Sequence, residues 1–246
     1  RGGGRSSARE TIGRVAAGAI AAKLLGELGI TVDAYVESIG PVSISMDRFN
    51  LEEARRNPTG MPDVEASAQA EEYLQKCIEN QDSAGGVVSC KVHGMPAGIG
   101  EPVFDKLDAC LGQAVMSIGA VKAFAVGDGC EVSKKNGSTN NDAFCNVNGQ
   151  ISKKTNHAGG ILGGISDGSD IILRAYFKPT PSIYQKQQTV NQAGEEIEIQ
   201  IKGRHDPIVV SRAVVVVEAM TAVTILDELL RNMTSRLDGI KKFYHK

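Results

Sequence analysis

The sequence predicts an α+β fold, helices laid over antiparallel strands, and three observations point to it. Helix-like and strand-like periodicities alternate along the 246 residues, the links between them are short, and the strand segments alternate apolar with polar residues. A doubly wound parallel sheet would show near-continuous apolar strands instead, because both of its faces are covered. The length suffices to bury a substantial core and fits a single domain over residues 1–246. With 4% aromatic residues and no tryptophan, that core must rest on Val, Ile, Leu and Ala.

The elements follow in order. Residues 7–28 form a helix: Ile12, Val15, Ala16, Ala19, Ile20 and Leu24 recur on one face, Ser7 and Glu10 make an S-x-x-E capping box, and Gly29 is the stop. Residues 30–39 alternate as a half-buried strand, with Val32, Ala34 and Val36 on one side and Asp33, Tyr35 and Glu37 on the other. Asn57-Pro58-Thr59-Gly60 and Met61-Pro62-Asp63 punctuate a loop, after which 66–78 reads as a second helix and 87–93 as a strand. A third helix over 104–121 turns Leu107, Leu111, Ala114, Val115 and Ile118 inward and leads into a strand over 123–132. Residues 133–155, rich in Asn, Ser, Lys and Gly, read as a long exposed loop of the kind that walls a site. Residues 171–177 and 196–202 are strand candidates, and 214–233 is a long apolar helix interrupted by Glu218 and Asp227.

Charge and composition narrow the function classes. With 27 basic and 29 acidic residues the net charge is −2, so no nucleic-acid partner is expected and any anion site must be local. Cysteines at 77, 90, 110, 130 and 145 form an odd set without a C-x-x-C pair, which fits core and strand positions in a reduced cytoplasmic protein rather than a disulfide framework or zinc site. The four histidines show no ligand spacing, so no metal site is expected. No apolar run approaches the ~20 residues of a membrane span, and the first residues contain no signal-peptide core.

Four strings carry candidate chemistry. Arg1-Gly2-Gly3-Gly4-Arg5-Ser6-Ser7-Ala8-Arg9-Glu10-Thr11 feeds glycines, arginines and serines into a helix start, where free N–H groups and the positive dipole end favour an anion. It is no Walker A loop, because no lysine follows until Lys23. An ordinary capped surface helix remains the alternative. Asn156-His157-Ala158-Gly159-Gly160-Ile161-Leu162-Gly163-Gly164 contains two glycine pairs, suited either to a flat ligand or to tight packing against a neighbouring element. In Lys178-Pro179-Thr180-Pro181-Ser182-Ile183 two prolines stiffen a loop from which Lys178, Thr180 and Ser182 can aim donors at a phosphate. Arg204-His205-Asp206-Pro207 sets a cation and an acid two apart, a pattern that a surface ion pair or helix cap also explains. Gly164-Ile165-Ser166-Asp167-Gly168 spells a nucleophile elbow but lacks the strand-to-helix context that one needs.

These strings, in this order, resemble segments of the chorismate synthase family: R-G-G-G-R-S-S-A-R-E-T, N-H-A-G-G-I-L-G-G-I-S, K-P-T-x-S-I, and R-H-D-P followed by R-A-x-x-V-x-E-A-M, seen here from Arg212-Ala213 to Glu218-Ala219-Met220. The family commonly has Cys after R-H-D-P and Pro at the helix start, where this chain has Ile208 and Val215, both expected on the packing side. The resemblance implies a β-α-β sandwich of antiparallel sheets and helices, and a chain that corresponds to the C-terminal two-thirds of the family's length. The family's two general-acid histidines, in G-E-S-H-G and H-R-P-G-H-A-D strings, are expected ahead of Arg1.

What the resemblance implies for function is a carbon–oxygen lyase of the shikimate pathway, a flavoprotein associated with NADP. Its reaction is the anti-1,4-elimination of phosphate from 5-enolpyruvylshikimate 3-phosphate to chorismate with reduced FMN (FMNH2). On this resemblance Arg5, Ser6, Ser7, Gly119, Ala120, Gly163, Lys178, Pro179, Thr180, Pro181, Ser182 and Arg204 contact the flavin. Arg9 and Arg204 hold the anionic substrate, and Asp206 takes the proton from flavin N5. A cytoplasmic homotetramer is implied as well, with little or no activity for these residues alone. The rival reading is a non-catalytic module that binds a flavin or a phosphorylated metabolite.

Overall fold

The computed structural model describes residues 7–203 and 206–244. A 3-10 turn at Ala8–Glu10 leads into α1 (Thr11–Glu27), followed by β1 (Thr31–Ile39), β2 (Val42–Ser43), a short α2 (Leu51–Ala54), α3 (Val64–Glu79) and β3 (Gly86–His93). Next come α4 (Leu107–Met116), β4 (Val121–Val126), α5 (Gly137–Asn140), β5 (Phe144–Val147), β6 (Gln150–Lys153), β7 (Ile161–Leu162) and β8 (Ile165–Ser166). β9 (Ile171–Phe177), β10 (Gln187–Val190), β11 (Glu196–Ile199), α6 (Val210–Asn232) and α7 (Leu237–Tyr244) complete the order. The principal sheet runs β2-β1-β3-β9-β4. The pairs β1–β2, β5–β6, β7–β8 and β10–β11 are antiparallel, as the expected α+β class requires. No described helix is long and apolar enough to cross a membrane.

The chain divides into two compact units: Arg1–Ala34 with Ser89–Ala175 and Val215–Lys246, and Tyr35–Val88 with Tyr176–Val214. In the first unit Leu25, Val92, Leu107, Leu111, Val115, Leu173, Val217 and Ile225 are buried. Here α1 departs from expectation. It buries Gly18, Ala21 and Leu25, whereas Ile12, Ile20 and Leu24 of the expected inner face are 73%, 66% and 50% exposed. A helix apolar around most of its circumference has no face that periodicity can select. Backbone approach selects it instead: a Cβ on Gly18 would lie 2.3 Å from the Cβ of Ala219 in α6, so the contact needs a bare backbone there. The capping box is also only half realised. The Ser7 hydroxyl accepts from the Arg9 N–H at 3.4 Å, but Glu10 turns forward to Arg14 at 2.9 Å.

In the second unit Val36, Ile39, Met61, Ala66, Ala70, Val88 and Val210 are buried. Tyr35, expected on the polar side of its strand, is 9% exposed and meets Phe49 edge-on at 5.0 Å, because a loop covers that face as well. Asp63 starts α3 by accepting from the Glu65 and Ala66 N–H groups. Burial pushes its carboxyl up, but the Arg48 guanidinium and the Ser45 and Ala66 N–H groups outweigh that and hold it down at about 2.

Three further expectations are corrected. The third helix is confined to Leu107–Met116, with Phe104 90% exposed ahead of it. The strand after it ends at Val126, where glycines 127 and 129, both with positive φ, turn the chain into a 3-10 segment at Gly129–Lys134. The stretch expected to be one long loop contains α5 and the β5–β6 hairpin, whose turn at Asn148-Gly149 has φ of 52° and 85°. Asn-Gly is a strong hairpin signal that the polar composition masks.

Candidate active site

In the first unit the 156–164 segment is fastened at several points. The Asn156 side chain donates to the Asp170 carbonyl at 2.8 Å and accepts from the Gly160 N–H at 2.8 Å. Gly159, Gly160, Gly163 and Gly164 all have positive φ, 64°, 80°, 60° and 85°. A Cβ would strike Gly127 N from Gly159 (2.3 Å), the Asp170 carbonyl oxygen from Gly160 (2.5 Å) and Lys106 Cγ from Gly164 (2.4 Å). Tight packing thus accounts for three of the four glycines. Gly163 differs, because no described atom lies within 4 Å of where its Cβ would be. That bare, outward-facing backbone is what contact with a flat ring system requires.

Ser7 and Arg9 are described at the start of α1. Arg14, between one and two turns further on, donates to the Ser117 hydroxyl at 2.6 Å and to the Ser117 carbonyl at 3.4 Å. This pins the start of α1 to the turn that carries Gly119 and Ala120. Ala120 holds φ 72°, a conformation that costs a Cβ-bearing residue about 1–2 kcal/mol, and Gly119 has open space around it. The Gly164 carbonyl accepts from the Leu107 N–H at the other end of α4. Gly163 and Gly119 are therefore separated by roughly the length of that ten-residue helix, about 15 Å. Arg5, Ser6 and Arg204 lie outside the described residues.

In the second unit the proline loop and Asp206 come together. Ser182, Ile183, Tyr184, Asp206 and Pro207 line one small cavity of about 70 Å³ together with Asp82. Neighbouring donors hold the loop: the Ser83 hydroxyl donates to the Thr180 carbonyl at 2.7 Å, and the Ala84 N–H donates to the Pro207 carbonyl at 2.8 Å. A Cβ on Gly85 would lie 2.6 Å from the Phe177 carbonyl oxygen, so this strand start also needs bare backbone. Lys178 is exposed, while the Thr180 hydroxyl is buried with no hydrogen-bond partner among the described residues. Asp206 pairs with Arg212 in the first turn of α6 at 2.5 Å. Of the two departures near this motif, Val215 is 47% exposed, so that difference faces outward rather than into packing.

Ser166 is not a nucleophile. It is 3% exposed, donates to the Pro96 carbonyl at 2.6 Å and accepts from the Ile99 N–H at 2.9 Å, tying two loops together. Two residues at the site escaped the sequence reading. Arg14 lay within a helix read only for its apolar face, and Asp142 lay within a supposed loop. The Asp142 side chain is 3% exposed and accepts from the Thr155 hydroxyl (2.7 Å), the His157 N–H (2.7 Å) and the Ala158 N–H (3.0 Å). Burial pushes its carboxyl up, but those donors and the His157 ring bring it down to about 2. No local pattern could have identified it, since its partners follow 13 to 16 residues later.

In the first unit Gly163 and Gly119 offer bare backbone of the kind a ring system needs. In the second unit the buried Thr180 hydroxyl, in a loop stiffened by Pro179 and Pro181, has no acceptor among the described residues, a place that a phosphate oxygen would fill.

Comparison with known proteins points to one family. The family model for chorismate synthase matches residues 1–230. The chorismate synthase of Lachnoclostridium phytofermentans is 62% identical over 247 residues, covering 100% of this chain and 67% of the relative. That of Agathobacter rectalis is 58% identical over 246 residues, with the same coverage. A crystal structure of chorismate synthase superposes with a TM-score of 0.78 at 29% identity, covering 96% of this chain and 68% of the other. The chain belongs to the chorismate synthase family, lyases of the shikimate pathway.

Proposed function

We propose that the chain binds FMN and 5-enolpyruvylshikimate 3-phosphate for the 1,4-elimination that yields chorismate. The observation that supports this most is the orphaned Thr180 hydroxyl, an unused donor inside the string that the resemblance assigns to the flavin phosphate. Reduced FMN supplies an electron-rich ring and, at N5, an acceptor for the hydrogen that leaves the substrate. In the reaction the C–O bond to phosphate breaks and the phosphate departs with the electron pair. A ring C–H bond gives up its hydrogen as the new double bond forms, so the sum is redox-neutral.

The chain's residues meet four needs of this chemistry. Lys178, Thr180 and Ser182 direct donors at the flavin phosphate from a loop whose prolines leave little entropy to lose, with Arg5, Ser6 and Ser7 as further contacts. Gly119, Ala120 and Gly163 let the ring approach the backbone. Arg9 and Arg204 counter charge that builds on the leaving phosphate, a preorganised stabilisation that water cannot match. Asp206 accepts the proton that must leave the flavin at the end of the cycle, with one carboxylate oxygen held by Arg212. The working protein in this reading is a cytoplasmic homotetramer built from one such domain per subunit.

Neither the G-E-S-H-G nor the H-R-P-G-H-A-D string occurs in the 246 residues. A polypeptide of these residues alone is therefore expected to turn over little or no substrate, and measurable turnover by it would refute that expectation. The second reading is a flavin-binding module without catalysis. Anaerobic FMN titration with and without 5-enolpyruvylshikimate 3-phosphate separates the two. A flavin spectrum that responds to substrate supports the lyase, whereas tight FMN binding indifferent to substrate supports the module.

A further inference from the structure

We infer that Asp142 is a positioning residue for the flavin-facing glycine segment, a buried anion that sets the backbone of residues 156–164 in the shape a flat ligand needs. This rests on the flavin reading above for its functional consequence, though not for its geometry. The carboxylate receives two consecutive backbone N–H groups: His157 donates to Oδ1 at 2.7 Å and Ala158 to Oδ2 at 3.0 Å. Successive amides turned toward one anion form a concave nest, which needs a negative charge to hold both dipoles in one direction. Thr155 donates its hydroxyl to Oδ1 at 2.7 Å from the residue just before the segment. The His157 ring adds Nδ1 at 3.0 Å, with the Asn140 carbonyl oxygen 3.1 Å from the same nitrogen.

The rest of the segment follows from that start. With His157 and Ala158 oriented, the His157 carbonyl accepts from the Asp128 N–H at 2.9 Å, and the Gly159 carbonyl accepts from the Ile172 N–H at 3.2 Å. The Gly160 carbonyl then accepts from the Asp167 N–H at 3.0 Å. The last two of these bonds fix Gly159 against β9 and Gly160 against the loop before it, and the chain emerges at Gly163 with its backbone bare. Other charges border the segment, namely Asp128 paired with Lys135, and Asp167 paired with Lys153. Asp142 alone among these carboxylates receives two consecutive main-chain donors of the segment in the described bonds. An asparagine there keeps the shape and one acceptor but presents an NH2 group to a main-chain N–H, so the nest opens without a cavity forming.

The test uses the 246-residue chain with Asp142→Asn, and with Thr155→Val as a milder variant that keeps the charge. Amide hydrogen exchange is read over 157–164, with α6 and β9 as internal references, and FMN affinity is read by fluorescence titration. Asp142→Asn is expected to speed exchange of the segment by about tenfold beyond any change in the references, and to weaken FMN binding by a similar factor. Thr155→Val is expected to show a smaller effect in the same direction. Exchange in the segment that stays at parental rates overturns the inference. So does acceleration shared equally by α6 and β9, which would make Asp142 a general stabiliser. If the parent chain binds no FMN but the segment loosens as described, the positioning role stands and the flavin reading falls.

Discussion

The glycine segment at 156–164 and the proline loop at 178–182 are both proposed as flavin contacts, yet the chain shapes them in opposite ways. The first bends at residues without side chains and is fastened by its own Asn156 and, from outside, by Asp142 and the backbones of 127, 170 and 172. The second carries its own stiffness in Pro179 and Pro181 and is tied by few bonds, one from Ser83 and one from Gln187. In the first, the protein consumes the donors and leaves bare backbone at Gly163. In the second, a donor is left over at Thr180. A ring calls for the first kind of surface and a phosphate for the second.

The largest expected effect tests whether the glycine segment is shaped by packing. Gly159→Ala places a methyl group 2.3 Å from a backbone nitrogen at positive φ, which should cost about 3 kcal/mol in denaturant unfolding. Gly163→Ala, with the same sign of φ and open space, should cost only about 1 kcal/mol while weakening FMN binding. Equal losses would erase the distinction between the two glycines.

A second measurement follows the buried anion. The Asp142 carboxyl, held at about 2 when folded, returns to about 3.9 when unfolded. A depressed folded value contributes stability that is complete above the unfolded pKa and is lost as pH falls through the folded one. The parent should therefore lose stability between roughly pH 4 and pH 2, with Asp63 acting in the same window. Asp142→Asn should be less stable near neutrality and show a shallower acid limb. An acid limb of parental slope would mean that the carboxylate is not ionised in the fold.

The proline loop makes the reverse prediction. Thr180→Val removes a buried hydroxyl that has no described partner, so stability should stay within about 1 kcal/mol of the parent or rise, while FMN affinity falls about tenfold. Unchanged affinity would detach the loop from the phosphate. The smallest effect concerns the turn before β4. Ala120→Gly relieves a positive φ of 72° and should stabilise by about 0.5–1 kcal/mol, the strain removed being partly offset by glycine's greater chain entropy.

Much of this was legible before any coordinates. The helix stop at Gly29, the loop over 57–63, the strands at β1, β3 and β9 and most of α6 follow from local periodicity and turn chemistry, which act within a few residues. The four strings identify the family for the same reason, since each is a run of neighbours. What escaped was long-range. The buried face of α1 was misjudged because Ile12, Ile20 and Leu24 are as apolar as Ala21 and Leu25, and only the approach of Ala219 to Gly18 decides between them. The β5–β6 hairpin disappeared into a polar composition. Asp142 looked like one more loop acid.

By itself, then, the sequence determined the order of the longer helices and strands, the α+β class and the family, because these rest on spacing along the chain. The tertiary structure alone decided which glycines serve packing and which is bare, that Arg14 ties α1 to the turn of Gly119 and Ala120, and that Thr180 keeps an unused hydroxyl. These depend on atoms that meet across tens of residues, where sequence spacing carries no distance. The opening arginines and serines illustrate the division. Their composition is what led to the proposed anion site, while the contact that ties the following helix to the rest of its unit, Arg14 on Ser117, joins residues 103 apart.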